Sequence, residues 1–398
     1  MKKFITILAA LAAVICANAQ KPADIYYTIE NDHYVYVCNA NTGQSYMLDT
    51  YGAKAFNIGI DNDHNVYVLV GVCVEDKIYH NFKVYKNGKV YQSFPDSGNQ
   101  SFSSMAMKVV GNDVVVAGVE SKEFNSKGYQ ARLVGYVNKV RVYQTDWERK
   151  SLKRDQFKGF CDIKGSGTKS RVERCTNYNS LSGYDTESRV YYVAAVDYVG
   201  GYIYTTGWGE REYTETPVGY QKQYLVRRCP RVWKNGKEII QQYENRTGAG
   251  RTINVMRNGQ NILTAGHQRD RLCAWDGNKD MVVSKDGDSN NQILREAVVF
   301  NGMIDGAPMF TRLFIDQPHH LYYVNTGKNG NQKSTHEVSS GRFSDVVVVG
   351  NTFYALDYAN TRICKIVGNN WMKDEWEVIT LCKPDINTDA GSLLAVHN

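Results

Sequence analysis

The stretches Val84–Phe94 (VYKNGKVYQSF) and Val232–Tyr243 (VWKNGKEIIQQY) nearly copy one another, with Asn87 and Asn235 lying 148 residues apart. Asn-Gly is the dipeptide that a two-residue hairpin favours, because both central positions take φ > 0. Each copy is therefore expected to be two antiparallel strands around a tight turn. Asp276-Gly277 supplies a third such turn, 41 residues after Asn235. Upstream of these hairpins run short segments rich in Val, Ile and Tyr: NVYVLVGV (65–72), DVVVAGVE (113–120), YIYTTGWG (202–209), NILTAGHQ (261–268) and TFYALDYA (352–359). Another apolar segment and a polar turn precede each run, as in FNIGIDNDHNVYVL and INVMRNGQNILT. No convincing amphipathic helix longer than two turns appears.

The repeating unit is thus four antiparallel strands at a period of about 40–50 residues, which predicts β-propeller blades. Units are marked at 54–95, 104–145, 189–244, 250–286 and 342–381, with a weaker one within 287–341. Near the N-terminus, DIYYTIE, HYVYVCN and GQSYMLD form three strands that lack a first, and SLLAVHN (392–398) is a lone strand after the last unit. Pairing them closes the ring through a shared blade and removes open sheet edges. The expected fold is all-β, a propeller of seven four-stranded blades, with six and eight as the neighbouring counts.

IGIDNDHNVYVL (58–69) resembles the strand–turn–strand of NHL-type propeller repeats, and the VWKNGK hairpins resemble blade repeats of secreted bacterial propellers of largely uncharacterised function. The resemblance implies a scaffold whose function sits in loops, and it carries over no catalytic residue. Gly-His…Trp-Asp pairs and Gly-Gly doublets at blade spacing are absent, so the WD40 and kelch patterns do not apply.

Residues 1–19 (MKKFITILAALAAVICANA) combine Lys2 and Lys3, a short apolar run and an Ala17-Asn18-Ala19 site, the order of a secretory signal peptide. The mature domain is expected to be 20–398, exported to the periplasm or outside the cell. A lipid anchor through Cys16 is the alternative. No later run is apolar enough to span a membrane. Without the signal, 45 basic residues face 41 acidic ones, too even a balance to indicate nucleic acid. Residues 146–188 break the rhythm and are expected to be a basic insertion: 141–175 holds ten Lys/Arg against five Asp/Glu. Cys161 and Cys175 within it are candidates for a disulfide.

Chemistry is sparsely marked. The DNDHN run (61–65) alternates oxygen ligands but lacks the glycine and distal glutamate of a calcium loop, so a turn fits better. KDGDSNN (285–291) is read the same way. His319 and His320 are adjacent and point apart if extended. No spacing indicates a metal site or cofactor, and no motif designates a catalytic residue. Cys273 and Cys364 occupy equivalent places in two units, which suits small core residues. Trp208, at the end of its strand, followed by Glu210, Arg211 and Tyr213, offers an aromatic and charged group suited to binding a sugar or peptide. The expectation is a monomeric binding or scaffold module for a glycan, peptide or cell-surface partner. The alternatives are a hydrolase or lyase acting on extracellular polymers and a structural envelope component.

Overall fold

The computed structural model describes residues 23–73, 79–97, 100–123, 129–149, 157–164, 171–175, 191–215, 223–241, 248–268, 271–277, 279–282, 293–326, 332–339, 341–370, 375–382 and 389–398. Residues 1–19, Cys16 among them, and the 285–291 run lie outside them. The chain forms a seven-bladed ring of antiparallel sheets. Blade one takes Asp24–Asn31, Tyr34–Asn39 and Ser45–Met47 from the N-terminal side and Leu394–His397 as its innermost strand. The remaining blades span 53–94, 100–144, 191–241, 248–282, 293–339 and 343–382, each with its first strand nearest the axis. The weakly marked unit is thus a full blade, from Ile293–Ile304 to Gln332–Ser339. Among the described residues the only helical turn is a 3-10 turn at Arg257–Gly259.

Closure joins Asp24 to His397 and Tyr27 to Leu394 across an antiparallel pair. Blades stack on apolar side chains: Val66, Val68 and Val70 meet Val35, Val37 and Ala395, and Phe353 and Ile366 meet Leu313 and Tyr323. A single sheet has two faces to bury, and only a neighbour on each side covers both.

The Asn-Gly turns have the expected hand, with φ of +48° and +80° at Asn87-Gly88 and +46° and +79° at Asn235-Gly236. The third hairpin differs by one position. Asp276 ends its strand opposite Lys279 and so lies outside the turn, and Gly277 takes a φ of +59°. One further expectation is corrected. The strand expected to end at Trp208 runs on from Tyr202 to Glu215, paired with Gln223–Lys234. Within 146–188, where strand alternation is poor, Glu148–Arg149, Phe157–Lys164 and Arg171–Cys175 are strands. Phe157–Lys164 pairs in parallel with the first half of Gln223–Lys234, at Tyr224 and Val226, where the short fourth strand Lys237–Gln241 does not reach. An open sheet edge recruits a strand by backbone pairing, which needs no side-chain alternation.

Candidate functional site

Six innermost strands share one irregularity. In their pairing with the second strand the register shifts at Ala55/Asn57, Phe102/Ser104, Val193/Ala195, Gly250/Thr252, Ile293/Arg295 and Phe343/Asp345. A β-bulge re-aims the side chains beside it. In five of the six, the residue after the bulge bonds to the next blade. Asn57 Oδ1 accepts from Met107 N at 2.9 Å, and Ser104 Oγ from Val193 N at 3.0 Å. Thr252 Oγ1 donates to Glu296 Oε2 at 2.6 Å. Arg295 meets Asp345 at 3.4 Å, and Asp345 Oδ2 accepts from Leu394 N at 2.8 Å. Blade four has Ala195 at this place and uses Asp197, two residues on, to accept from Val255 N at 2.6 Å. Glu30, accepting from Ala55 N at 3.2 Å, completes the circuit between blades one and two.

These strands enclose a central channel of about 580 Å³, lined by residues from all seven blades. Three ion pairs cross blade boundaries along it: Lys54–Glu30 at 3.8 Å, Lys108–Asp197 at 2.7 Å and Arg295–Asp345 at 3.4 Å. In every pair the cation is the more exposed partner, with side-chain exposures of 53, 39 and 39% against 22, 6 and 10% for the acids. Glu296, the remaining lining acid, is fully buried against Arg312, whose guanidinium also donates to the carbonyls of Trp275 and Thr264. Burial pushes the Asp345 carboxyl above the ordinary aspartate value, against the pull of Arg295 and of the Leu394 and Val346 N–H groups. Glu30 is likewise raised by burial, with Lys54 opposing.

The sequence-chosen aromatic stands behind this wall. Trp208 is buried, and its ring stacks on Tyr192 at 5.9 Å and 7° between planes. Tyr192 lines the channel. Glu210, Arg211 and Tyr213 follow on the same strand, opposite Arg228, Arg227 and Leu225, on the hairpin that carries the pair beyond Trp208. The backbone register sets Cys161 directly across from Cys175. Cys38, Cys229, Cys273 and Cys364 are buried in the core. The DNDHN segment is a turn built on Asp61, which accepts from Asn65 N, Asn65 Nδ2, Asp63 N and the Tyr67 hydroxyl. Burial opposes its ionisation, but these donors prevail and hold its carboxyl below the ordinary value.

No family model matches this chain, and no curated protein does. Among solved structures it is similar to AztD from Citrobacter koseri, with a TM-score of 0.44 and 10% identity over 94% of this chain and 98% of that one. It is also similar to the periplasmic gluconolactonase PpgL of Pseudomonas aeruginosa, with a TM-score of 0.45 and 8% identity over 94% of this chain and 99% of that one.

The bulge-bearing polar residues escaped the sequence reading. Their signal was present as polar residues interrupting each apolar first strand: AFNIGI, FSSMAM, GRTINV, ILREAV and FSDVVV.

Proposed function

We propose that this chain is an exported binding propeller whose central channel takes an anionic group of an extracellular glycan or peptide. One observation carries the reading: the channel turns its carboxylates into the wall and its cations toward the lumen. General acid–base hydrolysis of a glycoside needs two carboxyls placed on either side of the bond and free to move protons. Here Asp345, Asp197 and Glu296 have oxygens committed to neighbouring blades as hydrogen-bond acceptors. Lys54, Arg251 and Arg295 lie in the first halves of their strands and Lys108 near the end of its own, so positive charge is spread along the channel. Tyr192, backed by Trp208, supplies an aromatic wall beside them. The basic segment 146–188 is proposed to be an insertion stapled by Cys161–Cys175 that adds to the positive charge of the domain.

Calorimetric titration of the mature chain with uronate oligosaccharides, neutral oligosaccharides and acidic peptides tests the proposal. Saturable binding of an acidic ligand is expected, weakened about tenfold by Lys108→Met and weakened again by added salt, as for a charge-assisted contact. Equal affinity for neutral ligands, or unchanged affinity in Lys108→Met, overturns it. The hydrolase reading rests on Glu30 and Asp345, the channel acids that burial raises. Release of shortened products during the titration favours that reading instead.

A further inference from the structure

We propose that Asp24, His64 and His397 form a binding site for a divalent transition metal of the zinc class, and that the metal clasps the closed ring. One ligand atom from each of the three lies within 4.8 Å of the other two. His64 Nδ1 and Asp24 Oδ2 share a hydrogen bond of 2.5 Å that a bound metal would replace, and the two imidazoles meet edge to face at 5.1 Å between centroids. Asp24 and His64 are 36 and 52% exposed, so the cluster is open to ions from solvent. His397 Nδ1 is buried and makes no hydrogen bond. A buried imidazole nitrogen without a partner is costly, and a metal bound at this ring would stabilise the arrangement.

His64 is held for this geometry. Its backbone takes a φ of +62°, a left-handed conformation that histidine, asparagine and aspartate enter more readily than other residues with a side chain. The turn that imposes it is anchored at Asp61, whose carbonyl accepts from His64 N and whose carboxylate accepts from Asp63 and Asn65. The DNDHN turn spends the Asp61 carboxylate on its own backbone and on Asn65 and Tyr67. It aims its histidine at the seam between the two ends of the chain.

Two imidazoles and one carboxylate suit zinc, copper, nickel or cobalt, whereas calcium and magnesium prefer oxygen alone. Three protein ligands leave room for water or another donor in the shell. The position gives the site a structural consequence. Asp24 belongs to the N-terminal strand, His397 faces it from the C-terminal strand, and His64 belongs to blade two. A metal held by all three ties both chain ends to the adjoining blade. A ligand that binds only the closed ring stabilises it by mass action.

The test is zinc titration of the chain without a histidine tag, by calorimetry and by thermal melting. One zinc per chain is expected, and at about a hundredfold excess over Kd the Tm rises by a few degrees. His64→Asn keeps a residue that tolerates the left-handed backbone, and it is expected to weaken zinc binding at least tenfold and abolish the Tm rise. His397→Gln and Asp24→Asn are expected to do the same. His33→Asn, at another left-handed turn position of blade one, is expected to change neither. Cobalt in place of zinc should give visible d–d bands that are lost in His64→Asn, a readout that a stability defect alone does not imitate. Failure to bind zinc at about 100 μM, retention of zinc at unchanged affinity in His64→Asn, or preference for calcium overturns the proposal.

Discussion

Asn87, Asn138 and Asn235 each do two things at a hairpin turn. Their left-handed backbones, with φ of +48°, +49° and +46°, make the turn. Their amides also clamp the second strand of the same blade: Asn235 N donates to Ile203 O and Asn235 Oδ1 accepts from Ile203 N, both at 2.8 Å. Asn87 does the same to Val66 at 2.9 and 2.8 Å, and Asn138 to Val114 at 2.9 Å in both directions. Asn235→Ala removes an acceptor from a strand N–H and places Cβ in a disfavoured conformation, for a loss of about 2–3 kcal/mol. Asn235→Gly keeps the turn and forfeits only the bond, so it should cost about 1 kcal/mol less in urea unfolding; equal losses would count against the clamp. The turn was legible in the dipeptide, but the clamp was not, since its partner lies 32 residues away on another strand. His267 sets a pH dependence at the same scale. Burial, with the nearby charge of Arg251, lowers its pKa from the ordinary 6.5 to about 4. The fold therefore holds the neutral ring while the unfolded chain takes up a proton below 6.5. This contribution is complete above about pH 6.5 and is lost as pH falls toward 4, by about 2 kcal/mol between pH 7.5 and 5. His267→Gln should flatten stability against pH across that window; an unchanged slope would show that other groups produce it.

Among elements, the bulged first strand and the glycine-bearing second strand explain each other. A Cβ on Gly207 would lie 1.7 Å from the Tyr192 carbonyl oxygen, and one on Gly266 would lie 2.0 Å from that of Ala249. Both glycines pair with the residue just before the bulge, Val193 and Gly250. The small residue that ends the apolar runs TTG and TAG is thus the space into which the neighbouring backbone bends. Gly207→Ala forces backbone against backbone, and a loss of about 3 kcal/mol or more is expected, measurable as a lowered urea midpoint. Because Tyr192 lines the channel, the same substitution should also weaken ligand binding if that wall is shifted. A neutral effect on both would mean the strand pair relaxes freely. The sequence displayed the small residues at blade spacing but gave no reason for them, because the bulge is a property of two strands in register. The sequence likewise favoured Trp208 for binding, while the structure buries it behind Tyr192; a strand-end tryptophan is ambiguous until its neighbour across the sheet is known.

For the whole molecule, each of the seven blade boundaries carries at least one polar contact near the axis, and none is covalent. The last of these, Asp345 to Leu394 N, exists only when the C-terminal strand is seated. Blade count and closure were legible because turns and strands repeat along the chain. The channel was not, because its lining draws on residues from Glu30 to Val396 that share no local pattern. Closure also governs association. Leu393, Leu394 and Ala395 are 2, 1 and 5% exposed, and Leu394–His397 covers the inner edge of Asp24–Asn31. A chain truncated before Leu393 uncovers that edge, removes the partner of Asp345 and opens Ile25 and Tyr27 to water. Unpaired edges with apolar neighbours recruit other chains. The truncated protein should therefore melt at least about 10 °C lower and elute as oligomers under light scattering, since several kcal/mol of burial and pairing are lost. Supplying residues 392–398 as a separate peptide should return the elution to that of the intact chain, by filling the vacant strand position as an added strand does. A truncated chain that stays monomeric with an unchanged Tm would show that six blades and an open seam suffice, and that the shared blade is not what holds the ring.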